Sequence, residues 1–316
     1  MSDTKRVLVT GASGFVGRHS LRPLLERGFT VHAAARSPAP THDPVTVHAC
    51  DLLDADAATA LLRAVRPSHL LHFAWYAVPG KFWTAPENHA WVEASLHLLR
   101  GFAAAGGRRA VVAGSCAEYD WAHAVLSEAD TPLAPGTLYG AAKNALRDAL
   151  ERMAPGLGLS WAWGRLFWLY GPHEAPGRLV SDVAAALVAG RRIAVSSGEQ
   201  QRDFMHVEDA GRAFAMLLDG TTEGAVNVAS GHAARVRDVV ARIGALTGHA
   251  DRIDFGARPA PAGDPPRLVA AVERLAALGF APRYDLDSGL AHTIAFWRAA
   301  TLAGRRLSVD APSRSS

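Results

Sequence analysis

The chain has 316 residues, 49% of them hydrophobic, enough to bury the core of one large α/β domain or of a domain with a smaller appendage. Its net charge is only +3 and its basic residues are scattered, which says little about nucleic acid and suits a small anionic substrate, so no nucleic-acid partner is expected. Two cysteines, Cys50 and Cys116, exclude a disulfide framework; with no signal-peptide pattern and no apolar run near the roughly 18 residues of a membrane span, a cytoplasmic location without membrane contact is expected.

Residues 6–10, RVLVT, read as a short strand of the kind buried in parallel sheets. GASGFVG follows, with glycines at 11, 14 and 17. In the next segment Leu21, Leu24 and Leu25 form a helical apolar stripe that Gly28 can terminate. With TVHAAA (30–35) as a second strand, the pattern predicts a βαβ unit. Its glycines sit at the first turn, where backbone amides and a helix N-terminus bind pyrophosphate. Gly11, Ser13, Gly14, Phe15, Val16 and Gly17 are the expected contacts of that turn. Ala35 and Arg36 stand where an NAD-binding chain carries an acidic residue for the adenosine ribose. Arg36 therefore favours NADP(H), with NAD(H) as the alternative.

Strand-like runs at 45–50, 69–75, 109–115 and 159–167 alternate with helical ones near 55–65, 88–105 and 137–153. This repeated βαβ order predicts an α/β fold, a doubly wound parallel sheet covered on both faces. Ligands on such sheets lie at the carboxyl ends of the strands, where Asp51, His72 to Ala74 and Ser115 fall. In TLYGAAKNAL (137–146), Tyr139 and Lys143 leave the same helix face one turn apart. By itself that spacing fits either a packed ring beside a solvated charge or an acid/base pair. From about 172 the chain is punctuated by Pro and Gly, with helical patterns at 178–190, 207–218 and 234–247. Residues 1–171 are expected to form a dinucleotide-binding domain. Residues 172–310 would form mainly a smaller C-terminal substrate-binding lobe, and 311–316 a disordered tail.

TGASGFVG, DL at 51–52, HFA at 72–74, GSCAEY at 114–119, YGAAK at 139–143, YGP at 170–172 and RDFMHVED at 202–209 occur in this order along the chain. With them the sequence resembles the extended short-chain dehydrogenase/reductase family, also described as the NAD-dependent epimerase/dehydratase family, which handles nucleotide sugars on a Rossmann-type sheet. The resemblance implies a hydride passing between a nicotinamide and a sugar carbon while an attached oxygen gains or loses a proton. Ser115, Tyr139 and Lys143 match the catalytic positions. A phenol with an ordinary pKa of about 10 ionises poorly at neutral pH. Lys143, with the positive nicotinamide of the oxidised cofactor, would stabilise its anion and hydrogen-bond the ribose, while Ser115 would orient the reacting oxygen.

By the same resemblance, Asp51 accepts from the adenine amino group, and Leu52, Phe73 and Ala74 line the cofactor cleft. Arg202 pairs with the substrate diphosphate, Arg258 and Asp264 make further phosphate and ribose contacts, and Arg178 and Arg267 are additional anion-binding candidates. Trp168 stands in place of a substrate-contacting asparagine, as a wall of the sugar pocket. His72 reads as a packed strand-end residue, and His206 and Asp209 as holding the 202–209 segment and the following helix. Two departures narrow the chemistry. Members that remove water from the sugar carry Asp-Glu directly after the catalytic Ser/Thr, where this chain has Cys116 and Ala117. Cys116 is also one place out of register with the cysteine of the 3,5-epimerising reductases, and reads as a small buried residue.

The expectation is NADPH-dependent reduction of a nucleotide-activated 4-keto-6-deoxyhexose with Tyr139 as proton donor. The alternatives are an NAD-retaining nucleotide-sugar epimerase and a non-catalytic dinucleotide-binding redox sensor. No metal is expected. Helices 88–105 and 137–153 carry small apolar residues expected on their outer faces (Ala142, Ala145, Ala149); the resemblance implies that these pair as a four-helix bundle in a homodimer, and that the 1–171 domain also receives part of the later chain.

Overall fold

The computed structural model describes residues 5–37, 44–260 and 263–302, so the expected tail at 311–316 lies outside the described residues. The chain opens with strand β1 (Arg6–Thr10), helix α1 (Phe15–Glu26), and strands β2 (Thr30–Ala35) and β3 (Thr46–Ala49). Helix α2 (Ala55–Val65), β4 (His69–His72), helix α3 (Glu87–Ala104) and β5 (Arg109–Ser115) continue the alternation. After the short β6 (Val125–Leu126) come helix α4 (Leu138–Leu157), β7 (Ser160–Leu166) and β8 (Trp168–Tyr170). The later chain supplies α5 (Leu179–Val188), β9 (Ile193–Val195), β10 (Gln201–His206), α6 (Val207–Asp219) and β11 (Gly224–Val228). It closes with β12 (Ala233–Arg235), α7 (Val236–Thr247), β13 (Ile253–Phe255), β14 (Arg267–Ala270), α8 (Glu273–Ala277) and α9 (Leu286–Leu302).

Among the described residues the main sheet has seven strands in the order β11-β7-β5-β4-β1-β2-β3, and every pairing in it is parallel. A parallel strand covered by helices on both faces must be apolar throughout, and β5 (RAVVAGS) is buried at all seven positions. One face packs Val7, Val9, Leu71, Val111 and Ala162 against α1 and α6; the other packs Leu8, Leu70, Val112 and Trp163 against α2, α3 and α4. A smaller sheet of β6, β8, β10, β12 and β14 and the cluster around Val183, Val239 and Ile294 build the second lobe. The chain returns from it, because α6 packs on α1 and β11 pairs with β7.

Local chemistry sets the helix limits. Asp54 caps α2 by accepting from the amides of Asp56 and Ala57, and Thr137 caps α4 by accepting from Gly140 at 3.1 Å. α4 ends at Gly158 in the left-handed region (φ 65°), one residue after the last helical turn. Two expectations change. The strand read at 69–75 ends at His72, and Phe73 to Trp75 leave the sheet to form a cavity wall. Ala142 is buried within the chain's own core (5% exposed), so of the three small residues only Ala145 and Ala149 reach the surface of α4.

Candidate functional site

The carboxyl ends of β1, β4 and β5 are brought level by their register, with Thr10 opposite His72 and His72 opposite Val112. Above them runs a cavity of about 460 Å³, lined at one end by Gly11, Gly14, Phe15, Val16 and Gly17. Gly11 adopts φ +67°, and a Cβ there would lie 2.7 Å from the Ala74 nitrogen; one on Gly17 would lie 2.2 Å from the Gly11 carbonyl oxygen. The loop can close over the strand ends only with glycine at both places. Gly14 starts α1 without a side-chain cap, and the first turn carries no acidic residue, so free amides and the positive end of the helix dipole face the cavity. These features fit a dinucleotide pyrophosphate.

Phe73 and Ala74 line the same cavity. His72 is buried beneath it, held by Thr10 Oγ1 at 2.6 Å and Ser95 Oγ at 2.9 Å, and burial with the nearby Lys143 pushes its pKa down to about 3. It is a neutral structural residue. Leu52 is buried. Asp51 is exposed, and its Oδ1 accepts from the Leu53 amide at 3.1 Å. Ser13 is exposed, and its carbonyl accepts from Arg18. Arg36, at the end of β2, is exposed and makes no ion pair among the described residues.

Ser115, Tyr139 and Lys143 meet in the middle of the cavity. Ser115 ends β5, and its Oγ accepts from the Ala117 amide at 3.1 Å, which leaves the hydroxyl proton to be donated. The Tyr139 ring packs edge-on against Phe82 and Trp83, with centroids 4.8 and 5.8 Å away, and its amide donates to the Trp83 carbonyl. Burial raises the phenol pKa; a hydrogen bond with Ser115 and the charge of Arg178 act to lower it. Lys143 is 3% exposed, donates to the Ala113 carbonyl at 2.8 Å and lies 3.7 Å from the centroid of the Trp75 ring. Burial pulls its pKa from 10.5 down to about 7, opposed by the Glu118 carboxylate. The lysine's ordinary strong charge is thus largely spent on its own desolvation.

Beyond the trio the walls are aromatic and apolar: Trp75, Pro79, Phe82, Trp83, Phe167 and Trp168. Arg178 lines this end, its guanidinium 5.2 Å from the Phe82 ring. Glu174 lines it too. That carboxyl is 6% exposed, one oxygen accepts from the Ser181 amide at 3.0 Å, and burial pushes its pKa up to about 8, so at neutral pH it can donate a proton. Nothing in the sequence pattern singles out Glu174, whereas the aromatic density between Phe73 and Trp83 could have marked that segment as a wall.

Arg202 is 3% exposed, sits 5.1 Å from the Trp168 ring centroid and pairs with Asp264. Arg258 is exposed, with its amide on the Val195 carbonyl, and Arg267 donates to the Gln201 side chain. None of Arg202, Arg258, Asp264 and Arg267 lines the cavity. Cys116 is buried, which pushes its thiol pKa up. His206 caps α6, and the Asp209 carboxylate accepts from the amides of Arg283 and Tyr284. His206, Glu208 and His292 could bring metal-ligand atoms within 4.8 Å of one another. However, His206 Nδ1 accepts from the Glu208 amide, which leaves the proton on Nε2, the atom facing His292 Nδ1 at 3.3 Å. That makes the pair a hydrogen bond and not a ligand set.

Residues 7–229 match the NAD dependent epimerase/dehydratase family. The chain belongs to that family. It is an enzyme of the extended short-chain dehydrogenase/reductase type. It is 28% identical to UDP-glucose 4-epimerase of Azospirillum brasilense, over 92% of this chain and 91% of that one. It is 26% identical to dTDP-4-dehydro-6-deoxy-D-allose reductase of Streptomyces bikiniensis, over 93% of this chain and 96% of that one. Among solved structures it superposes on MoeE5 in complex with UDP-glucuronic acid and NAD with a TM-score of 0.80 and 31% identity, covering 93% of this chain and 99% of that one. No helix among the described residues is long and apolar enough to cross a membrane.

Proposed function

We propose that the enzyme reduces the keto group of a nucleotide-activated 4-keto-6-deoxyhexose with NADPH. The observation that carries the choice of reductase is Arg36, an exposed cation directly after β2 with no ion pair among the described residues, where Ala35 leaves no carboxylate to repel a 2′-phosphate. The similarity to a deoxysugar reductase supports the substrate class. The loop Gly11–Gly17 and the N-terminus of α1 would hold the pyrophosphate, and the nicotinamide, once bound, supplies the hydride. Tyr139 delivers the proton to the oxygen that the hydride transfer leaves charged. A phenol that burial keeps protonated is in the correct state for that step. Ser115 donates its hydroxyl proton to the same oxygen and fixes its direction. Lys143 takes the nicotinamide ribose and, as the charged member of the trio, favours the phenolate that proton delivery leaves behind. The aromatic walls suit the deoxygenated face of the sugar, with Arg178 and Glu174 as polar contacts and the Arg202–Asp264 pair as the nucleotide end. Two chains would associate through α3 and α4.

The epimerase reading uses the same trio and is favoured by the similarity to UDP-glucose 4-epimerases. One titration separates the two. Cofactor-free protein is mixed with NADPH and with NADH, and the quenching of its eight tryptophans is followed for the wild type and for Arg36→Ala. The reductase reading expects NADPH to bind at least about tenfold tighter, roughly 1.4 kcal/mol, and the variant to lose that margin. NADH binding more tightly, or a cofactor that cannot be stripped, would sink it in favour of epimerisation.

A further inference from the structure

A second carboxylate stands directly behind the trio, on the side away from the cavity. Ser115 begins a single 3₁₀ turn (Cys116–Glu118), and its amide donates to Glu118 Oε1 at 2.7 Å while its Oγ accepts from Ala117. Glu118 is fully buried and does not line the cavity. Its Oε2 accepts from Arg165 Nε at 2.8 Å, and both oxygens receive the Trp163 indole N–H at 2.9 and 3.0 Å. Arg165 in turn donates to the Tyr119 hydroxyl at 2.9 Å, and Tyr119 to Asn227 Oδ1 at 2.8 Å. Trp163 and Arg165 belong to β7, next to β5 in the sheet, and Asn227 to β11 on the far side of β7, so the carboxylate is held from the neighbouring strands. Space has been kept for it. A Cβ on Gly114 would lie 2.0 Å from the Trp163 indole nitrogen and 2.7 Å from Glu118 Oε1.

We propose that Glu118 is a positioning residue of the reaction, a buried carboxylate that sets the direction of Ser115 and balances the charge of Lys143. The capping box is the first half of that role. It occupies the Ser115 amide and one lone pair of its hydroxyl, so the hydroxyl proton is left for the substrate oxygen. The second half is electrostatic. The charged and titratable groups that face Glu118 are Arg165 on β7, Tyr139 and Lys143 on α4, and Cys116 and Tyr119 on its own turn. Glu118 is the group that opposes the desolvation of Lys143. Arg165 is paired with the other oxygen at 2.8 Å, so the buried carboxylate has a cationic partner inside the fold. Glu118 also does not replace the carboxylates a sugar dehydratase needs, because it is sealed from the cavity.

The chain has three lysines, Lys5, Lys81 and Lys143, so protein labelled with ¹³C-lysine gives three Cε signals, and Lys143→Met identifies the third. Titrating full-length wild type and Glu118→Gln reads the Lys143 midpoint without substrate or cofactor. Gln keeps the shape and one oxygen acceptor for the Ser115 amide. Because it strands Arg165 as a buried charge, the double variant Glu118→Gln/Arg165→Met, which removes both charges, is titrated alongside. A midpoint lowered by at least half a pH unit in the folded variants, with unchanged NADPH affinity and turnover reduced about tenfold or more, is the expected result. An unchanged midpoint in either folded variant overturns the proposal. The inference rests on the trio being catalytic but not on the keto sugar. Wild-type protein that turns over no keto sugar would count against the reductase reading alone, and an unmoved lysine against Glu118 alone.

Discussion

Lys143 carries its ammonium into a site that is 3% exposed, and its surroundings pull the pKa from 10.5 to about 7. At about 1.4 kcal/mol per pH unit, charging this amine costs about 5 kcal/mol more in the folded chain than in the unfolded one. Because the folded value lies below the unfolded one, that cost is fully present below pH 7 and fades as the pH rises toward 10.5. At pH 9 about 2 kcal/mol of it remains, so the penalty changes by about 3 kcal/mol between pH 6 and pH 9. Methionine fills a similar unbranched volume with no charge. Lys143→Met forfeits the bond to the Ala113 carbonyl and the contact with the Trp75 ring, but that forfeit does not vary with pH to the same extent. Urea unfolding of both proteins at pH 6 and pH 9 should therefore show the variant gaining about 3 kcal/mol more, relative to wild type, at the lower pH. Its turnover should be lost at both. A stability difference that is the same at the two pH values would refute the reasoning, since it would mean that Lys143 is not held as a desolvated charge.

Tyr139→Phe removes the proposed proton donor and keeps the ring contacts with Phe82 and Trp83, so steady-state assays should show turnover reduced on the order of 10²–10⁴-fold. The unfolding midpoint and NADPH affinity should be unchanged; a variant with near-normal turnover would remove Tyr139 from the proton path. Gly17→Ala places a Cβ 2.2 Å from the Gly11 carbonyl oxygen, and the glycine loop must open to admit it. Fluorescence titration should show NADPH binding weakened about tenfold or more, and full-strength binding would contradict the loop's role. Asp209→Ala leaves the amides of Arg283 and Tyr284 without their acceptor in a fully buried position. Urea unfolding should register a loss of about 3 kcal/mol.

What could be read from the sequence follows the range of the interactions involved. The βαβ units were legible because strand and helix periods are local, and the run of apolar residues in β5 belongs to its own seven positions. The glycine turn was legible for the same reason. Its demand for close approach shows in the spacing 11, 14 and 17, although the atoms approached, on Ala74 and Gly11, appear only in three dimensions. The short strands of the second lobe carry two to six residues each, too few for a period to show. On α4, Ala142 looks like any small surface residue until the helix is docked, and docking turns it inward. Tyr139 and Lys143 were brought together correctly by helix geometry. Their electrostatics were not, because the lysine's charge depends on how deeply α4 lies against β5 and on the Trp75 ring that covers it.

Glu118 shows where reading by spacing stops. Three residues after Ser115, in a loop, a glutamate would ordinarily be taken as solvated. Its burial is decided by Arg165, 47 positions later, and that partnership exists because the parallel register of β5 and β7 sets Gly114 opposite Arg165. Register is a property of two strands and of the helix that joins them. Neither strand encodes it alone. The residue with the most to say about it is Gly114, which has no side chain at the one place where a methyl group would displace both the indole and the carboxylate. A glycine at the end of a buried strand, followed by Ser and then, three places on, by Glu, is thus a statement about the neighbouring strand. Gly114→Ala should push Glu118 out of its pocket and disturb Ser115 with it. Its turnover should fall with that of Glu118→Gln, whereas a strand glycine serving only backbone entropy would leave turnover intact.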